Sequence, residues 1–189
     1  MKNIYIIHGW GGSPKEPLIC WLKTELEKAG HKVVAPEMPD TEHPVIAKWV
    51  GKLKEVVIEP NEDTVFIGHS IGCQTILRYL ADLPETSKID KLILIAPWME
   101  LDLKTIEEEG EGGLDIAYPW METPINFDKV QKIVSKTIAI FSDNDPFVPL
   151  SQKDLFEEKL NAEIVLENNK GHFDPESNIV ELPIVLAKV

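Results

Sequence analysis

Cysteine occurs only twice in this chain, at Cys20 and Cys73, and neither stands in a Cys-x-x-Cys pair. That scarcity excludes a disulfide framework and the common zinc and redox motifs, and both cysteines are expected to be buried free thiols that behave as small apolar residues. Positive charge is also short: 19 lysines and arginines face 32 aspartates and glutamates, for a formal net charge of -13. Such a chain repels a phosphate backbone, so nucleic acid and anionic membrane are not expected as partners. Apolar runs of roughly 18 residues, the length of a membrane-spanning helix, are missing, and the opening IYII is too short and too soon followed by His-Gly for a signal peptide. A cytoplasmic location is expected.

Phosphate-binding signatures are missing as well. The Gly-rich HGWGGSP at 8–14 has no Gly-Lys-Ser/Thr ending, and Gly9, Gly11 and Pro14 break the G-x-G-x-x-G spacing. No pair of histidines has the spacing of a metal site, so neither metal nor cofactor is expected. Nothing in the sequence specifies an oligomeric state.

What is present is an ordinary globular composition, 43% hydrophobic and 27% charged, in 189 residues without a linker or an internal repeat. One domain spanning 1–189 is the expectation. Continuous β-branched and apolar runs at 3–7, 32–35, 64–67, 91–96, 136–141 and 162–166 suit strands buried on both faces of a parallel sheet. Helical patterns lie between them at about 16–29, 44–58, 71–82 and 151–160, with a last helix at about 175–188 opened by Asp174 as N-cap and Pro175. The alternation predicts an α/β fold: a doubly wound, mainly parallel sheet of about six strands whose strand-end loops converge on one edge. Residues 97–135 read as one long irregular segment, with the acidic EEEGEGG at 107–113 a solvated loop or a mobile flap beside a site.

Gly68-His69-Ser70-Ile71-Gly72 stands where the strand at 64–67 gives way to the helix at 71–82. In such a nucleophile elbow, glycines two before and two after the serine remove side chains that would collide as strand folds back into helix. The turn also aims the backbone N–H of Ile71, near the positive end of the helix dipole, at a forming oxyanion. A serine hydroxyl is a poor nucleophile near neutral pH, so this reading demands a histidine base and a carboxylate further along the chain. FSDNDPFVP supplies Asp143 and Asp145, and NNKGHFDPE supplies His172, each following a predicted strand. The loop at 8–14 would add a second oxyanion donor, from the N–H of Trp10 or Gly11. His8 and His69 read as positional residues, and His31 and His43 as surface ones.

These stretches, with APEMPD after the second strand and YPWMETPINFDKV before the fifth, give the chain a resemblance to compact α/β-hydrolases, specifically the small serine hydrolases grouped with retinoblastoma-binding protein 9. The resemblance covers nearly the whole chain. It implies a catalytic triad of Ser70, Asp145 and His172, and a minimal fold that starts at a central strand and omits two outer strands and a large lid. The sequence lacks Leu-x-Cys-x-Glu, so a retinoblastoma-protein interaction is not implied.

The expected activity is hydrolysis of a small carboxylic ester, or an amide, through an acyl-enzyme. The alternative is a protein-binding module on a silent hydrolase scaffold. Trp10, Trp98 and Trp120, with Tyr118, fall in or near strand-end loops and are expected to wall a small apolar pocket favouring short acyl chains.

Overall fold

The computed structural model describes residues 1–110 and 112–189. Its strands are β1 (Asn3–Ile7), β2 (Lys32–Val34), β3 (Thr64–His69), β4 (Ile89–Ile95), β5 (Val134–Ser142) and β6 (Glu163–Glu167). They form one all-parallel sheet in the order β2-β1-β3-β4-β5-β6. All six residues of β3 are buried, as its central place requires, whereas the edge strands β2 and β6 contain no fully buried residue.

The helices are α1 (Pro17–Lys28), α2 (Ile46–Val56), α3 (Ile71–Asp82), α4 (Leu103–Glu109), α5 (Gly113–Glu122), α6 (Phe127–Ile133), α7 (Gln152–Leu160) and α8 (Pro183–Lys188). From β1 to β2 the chain steps one way along the sheet, and from β3 onward it steps the other way. Right-handed crossovers then put α1 on one face and α2, α3 and α7 on the opposite face. Packing follows suit: α1 meets α8, while α2, α3, α6 and α7 touch in succession. Helix α3 is buried from Ile71 to Leu80, so the segment after the elbow lies inside the layer rather than on its surface.

Three expectations are corrected. Cys73 is buried, but Cys20 on α1 is exposed. Among the described residues, the segment expected to be irregular at 97–135 instead holds three short helices, α4, α5 and α6, and the start of β5. Asp102 caps α4 by accepting the Thr105 N–H, and Asn126 caps α6 by accepting the Lys129 N–H. With seven residues each, α4 and α6 are too short to show two full turns of periodicity. The acidic run at 107–113 includes residue 111, which lies outside the described residues. The last helix starts at Pro183, not near 175. Asp174 does accept the Ser177 N–H at 2.8 Å, but Asn178 takes a positive φ of 57° and turns the chain out after a single turn.

Candidate active site

Strand order reverses between β1 and β3, and in a doubly wound sheet the crevice beyond the carboxyl ends at such a point is the natural ligand site. Gly9 and Trp10 follow β1 there, and Ser70 follows β3. A cleft of about 650 Å³ opens at this place, lined by Trp10, Ser70, Trp98, Ile106, Phe147 and His172 among others.

Ser70 has φ 52° and ψ -122°, a conformation that a side-chain-bearing residue adopts only under strain, at a cost of about 1–3 kcal/mol. The surroundings enforce it. The Ser70 N–H donates to the Ile95 carbonyl at 2.9 Å, and the Ser70 carbonyl accepts the Cys73 N–H at 2.9 Å. A Cβ on Gly68 would lie 2.8 Å from the Cys73 backbone, and one on Gly72 would strike the carbonyl of Ile7 and come within 2.6 Å of that of His8. Both glycines let α3 lie directly against β1 and β3.

The Ser70 hydroxyl oxygen is 2.9 Å from His172 Nε2, and His172 Nδ1 is 2.8 Å from Asp145 Oδ2. The other oxygen of Asp145, Oδ1, accepts the N–H groups of Phe147 and Val148 at 2.9 and 3.0 Å. Since the carboxylate only accepts, His172 Nδ1 carries the proton and Nε2 is free to accept from Ser70. The N–H of Ile71, the first residue of α3, lies at the helix N-terminus where no intrahelical acceptor is available, and Trp10 follows β1 along the same cleft.

Residues 4–189 match the family described as serine hydrolase. The chain belongs to the serine hydrolase family. It is 26% identical to YdeN of Bacillus subtilis (strain 168) over 186 residues, covering 97% of this chain and 92% of that one. It is 28% identical to the serine hydrolase RBBP9 of Rattus norvegicus over 170 residues, covering 88% and 78%. The crystal structure of the B. subtilis ydeN gene product shares the fold, with a TM-score of 0.89 at 24% identity over 100% of this chain and 96% of that one.

Of the residues singled out in the sequence, the fold brings Ser70, His172, Asp145 and Trp98 into one chain of contacts, with Trp10 lining the same cleft and Ile71 next to Ser70 at the start of α3. Gly11 also lines the cleft, but its N–H is taken by the Thr41 carbonyl at 2.8 Å. Trp120 is a correction. Its position on α5 turns it away from the cleft into the core, edge-on to Trp49, with its indole N–H donating to the Pro44 carbonyl at 3.0 Å.

Sequence reasoning gave Asp143 a loop-capping role but missed the other residues that hold the histidine loop in place, Ser142, Asn144 and Ser177. Three successive N–H groups, of Asn169, Lys170 and Gly171, donate to side chains at the end of β5 and just beyond it: Asp143 Oδ1 at 2.7 Å, Ser142 Oγ at 3.0 Å and Asn144 Oδ1 at 2.9 Å. The His172 N–H donates to Ser177 Oγ at 3.1 Å. The signal was there, a polar Ser-Asp-Asn before Asp145, but its partners lie more than twenty residues away.

A second missed cluster lies under the site. Gln74 and Arg78 are one turn apart on α3, and the Arg78 guanidinium donates to Gln74 Oε1 at 2.8 Å and to the carbonyls of Trp120, Thr123 and Pro124 at the end of α5. Burial lowers the Arg78 pKa to about 10, so it stays cationic against the negative end of that helix. Nearer the triad, burial and then the adjacent His172 lower the His69 pKa to about 4, which makes His69 neutral at working pH. His8 is likewise lowered by burial; it accepts the Met38 N–H at Nε2 and donates from Nδ1 to the Gly9 carbonyl.

Proposed function

We propose that this serine hydrolase, as one domain over residues 1–189, cleaves small carboxylic esters, and amides less readily, through an acyl-enzyme on Ser70. The observation that carries the reading is the unbroken line from Ser70 Oγ through His172 to Asp145, with contacts of 2.9 and 2.8 Å. His172 takes the hydroxyl proton as Oγ attacks the acyl carbon, and returns it to the departing alkoxide or amine. Asp145 fixes the tautomer and supports the imidazolium. The N–H groups of Ile71 and Trp10 receive the oxyanion, aided by the N-terminal end of α3.

An ester is favoured because an alkoxide leaves more readily than an amine, and because the cleft is small and partly apolar, with Trp98, Leu101, Ile106, Ile116 and Phe147 along it. A silent scaffold would have no use for the strained φ of 52° at Ser70. A fluorophosphonate probe tests the reading. It should modify Ser70, as located by peptide mass spectrometry, and Ser70→Ala should abolish both labelling and hydrolysis of 4-nitrophenyl acetate. Undiminished hydrolysis by the alanine variant would remove Ser70 from the mechanism.

A further inference from the structure

One contact to the nucleophile plays no part in the triad as described. The indole Nε1 of Trp98 lies 3.3 Å from Ser70 Oγ. Indole N–H can only donate, so the direction is settled: Oγ accepts from Trp98 while its own proton goes to His172 Nε2. Trp98 is 1% exposed, so water does not compete for that donor.

The protein holds this indole with several independent devices. Ala96, two residues earlier, has a positive φ of 47° although it is not glycine, and its N–H is tied to the Ile140 carbonyl at 2.8 Å. That strained kink at the end of β4 turns Pro97 and Trp98 back over the sheet edge. The Trp98 carbonyl accepts from Gln74 Nε2 at 3.1 Å, and Gln74 is itself held by Arg78. Beyond it, the N–H groups of Met99 and Glu100 share the buried Gln152 Oε1 at 2.8 and 3.2 Å. Packing alone would not require an indole N–H aimed at the one reacting oxygen.

We propose that the Trp98 N–H is a further catalytic group, one that assists Ser70 Oγ as it leaves the acyl-enzyme. The inference rests on the acyl-enzyme reading above. In the free enzyme Oγ is a hydroxyl oxygen that already accepts the Trp98 bond well, so much of that bond is in place before Oγ attacks and acylation gains less from it. In the acyl-enzyme Oγ is the alkoxy oxygen of an ester and accepts poorly. Deacylation begins when water, losing a proton to His172, adds to the acyl carbon. The tetrahedral intermediate then collapses: the carbon–Oγ bond breaks, its electron pair stays on Oγ, and Oγ takes the proton from His172 Nε2. Charge grows on Oγ during that step, and a hydrogen bond to a charged acceptor is shorter and stronger than one to a neutral acceptor. The donor therefore acts mainly on deacylation.

The test separates the two half-reactions of 4-nitrophenyl acetate. Stopped-flow release of nitrophenolate gives acylation, and the decay of acetyl-Ser70 by intact mass after removal of substrate gives deacylation. Two variants are compared with wild type: Trp98→Phe, and a protein carrying β-(3-benzothienyl)alanine at position 98, which keeps the indole shape but lacks the N–H. In the benzothienyl protein, acylation should stay within about twofold while deacylation falls by about tenfold, the scale of one hydrogen bond to a charged group. Trp98→Phe should shift the ratio in the same direction; should it fold poorly, the shape-conserving variant decides. Equal loss in both steps, or unchanged deacylation in the benzothienyl protein, would overturn the proposal and leave the acyl-enzyme intact. If wild type never forms an acetyl adduct on Ser70, the acyl-enzyme reading itself falls, and this inference with it.

Discussion

The Nε2 atom of His69 lies 2.7 Å from the carbonyl oxygen of His172, so the residue before the nucleophile grips the main chain of the residue that would serve as its base. The carbonyl only accepts, so His69 must keep its Nε2 proton, and with a pKa lowered to about 4 by burial it does so as a neutral ring.

That shift makes stability depend on pH with a definite sign. An unfolded histidine takes up a proton near pH 6.5, but folded His69 resists until about pH 4. Between those values the unfolded state binds more protons, so stability falls as the solution is acidified, by at most about 3 kcal/mol from this residue. His8, lowered by burial, acts in the same direction. Urea unfolding at pH 7, 5 and 4 should show the loss, and His69→Gln, which keeps an N–H donor but cannot titrate, should flatten it. An identical slope in the glutamine variant would count against His69 as the titrating group.

The two aspartates after β5 should separate cleanly. Asp145 touches His172, whereas Asp143 accepts the Asn169 N–H at 2.7 Å. Asp145→Asn should reduce kcat by about 10⁴-fold through the wrong imidazole tautomer, as in serine triads generally. Asp143→Asn should act only by loosening the histidine loop, with a loss of about tenfold or less, within the worth of a single hydrogen bond. Steady-state kinetics on a nitrophenyl ester rank the two, and the opposite ranking would make Asp143 the acid.

Gly72→Ala should be among the most damaging one-methyl changes in the chain. Its new Cβ would meet backbone carbonyls of Ile7 and His8, which cannot move aside as a side-chain tip can. Loss of roughly 3 kcal/mol or more is expected, at the upper end for overpacking. Gly51→Ala, with open space at its Cβ position, is the control and should be near neutral or stabilising in the same thermal melts.

Chain-length preference tests the cleft wall. Ile106 and Leu101 line it, so Ile106→Ala should improve turnover of hexanoate and octanoate relative to acetate, by roughly 10-fold or more if one obstructing contact is removed. Trp120→Ala should leave that preference alone and instead destabilise by about 3–5 kcal/mol, because the indole is buried against Trp49. A change in selectivity without a change in stability would return Trp120 to the pocket.

The contrast between Ser70 and Trp120 explains what was legible in the sequence. Ser70 stands at a junction where apolar continuity switches to helical spacing, flanked by glycines, and that local pattern dictates a backbone shape. An aspartate at 143 or 145 and His172 were expected at the site because parallel strands present their following loops at one edge, and the family resemblance singled out Asp145. Trp120 depends on which side of a ten-residue helix meets the core, a choice made by distant Trp49 and Arg78. The same holds for Ser142 and Asn144, whose partners belong to another loop, and for the Trp98 N–H, whose aim is set by a strained alanine. At Asn178, a single positive φ ended a helix that composition alone would have continued.

The contact between Ser70 and His172 joins residues 102 positions apart, and this separation is also a separation in time. A ribosome adding about 5–20 residues each second delivers the histidine roughly 5–20 s after the serine. For that interval a nascent chain can hold its elbow, glycines and strand intact, yet it has no proton acceptor for the hydroxyl. Under the proposed mechanism, reactivity toward a fluorophosphonate therefore waits until β6 and the histidine loop after it have been synthesised.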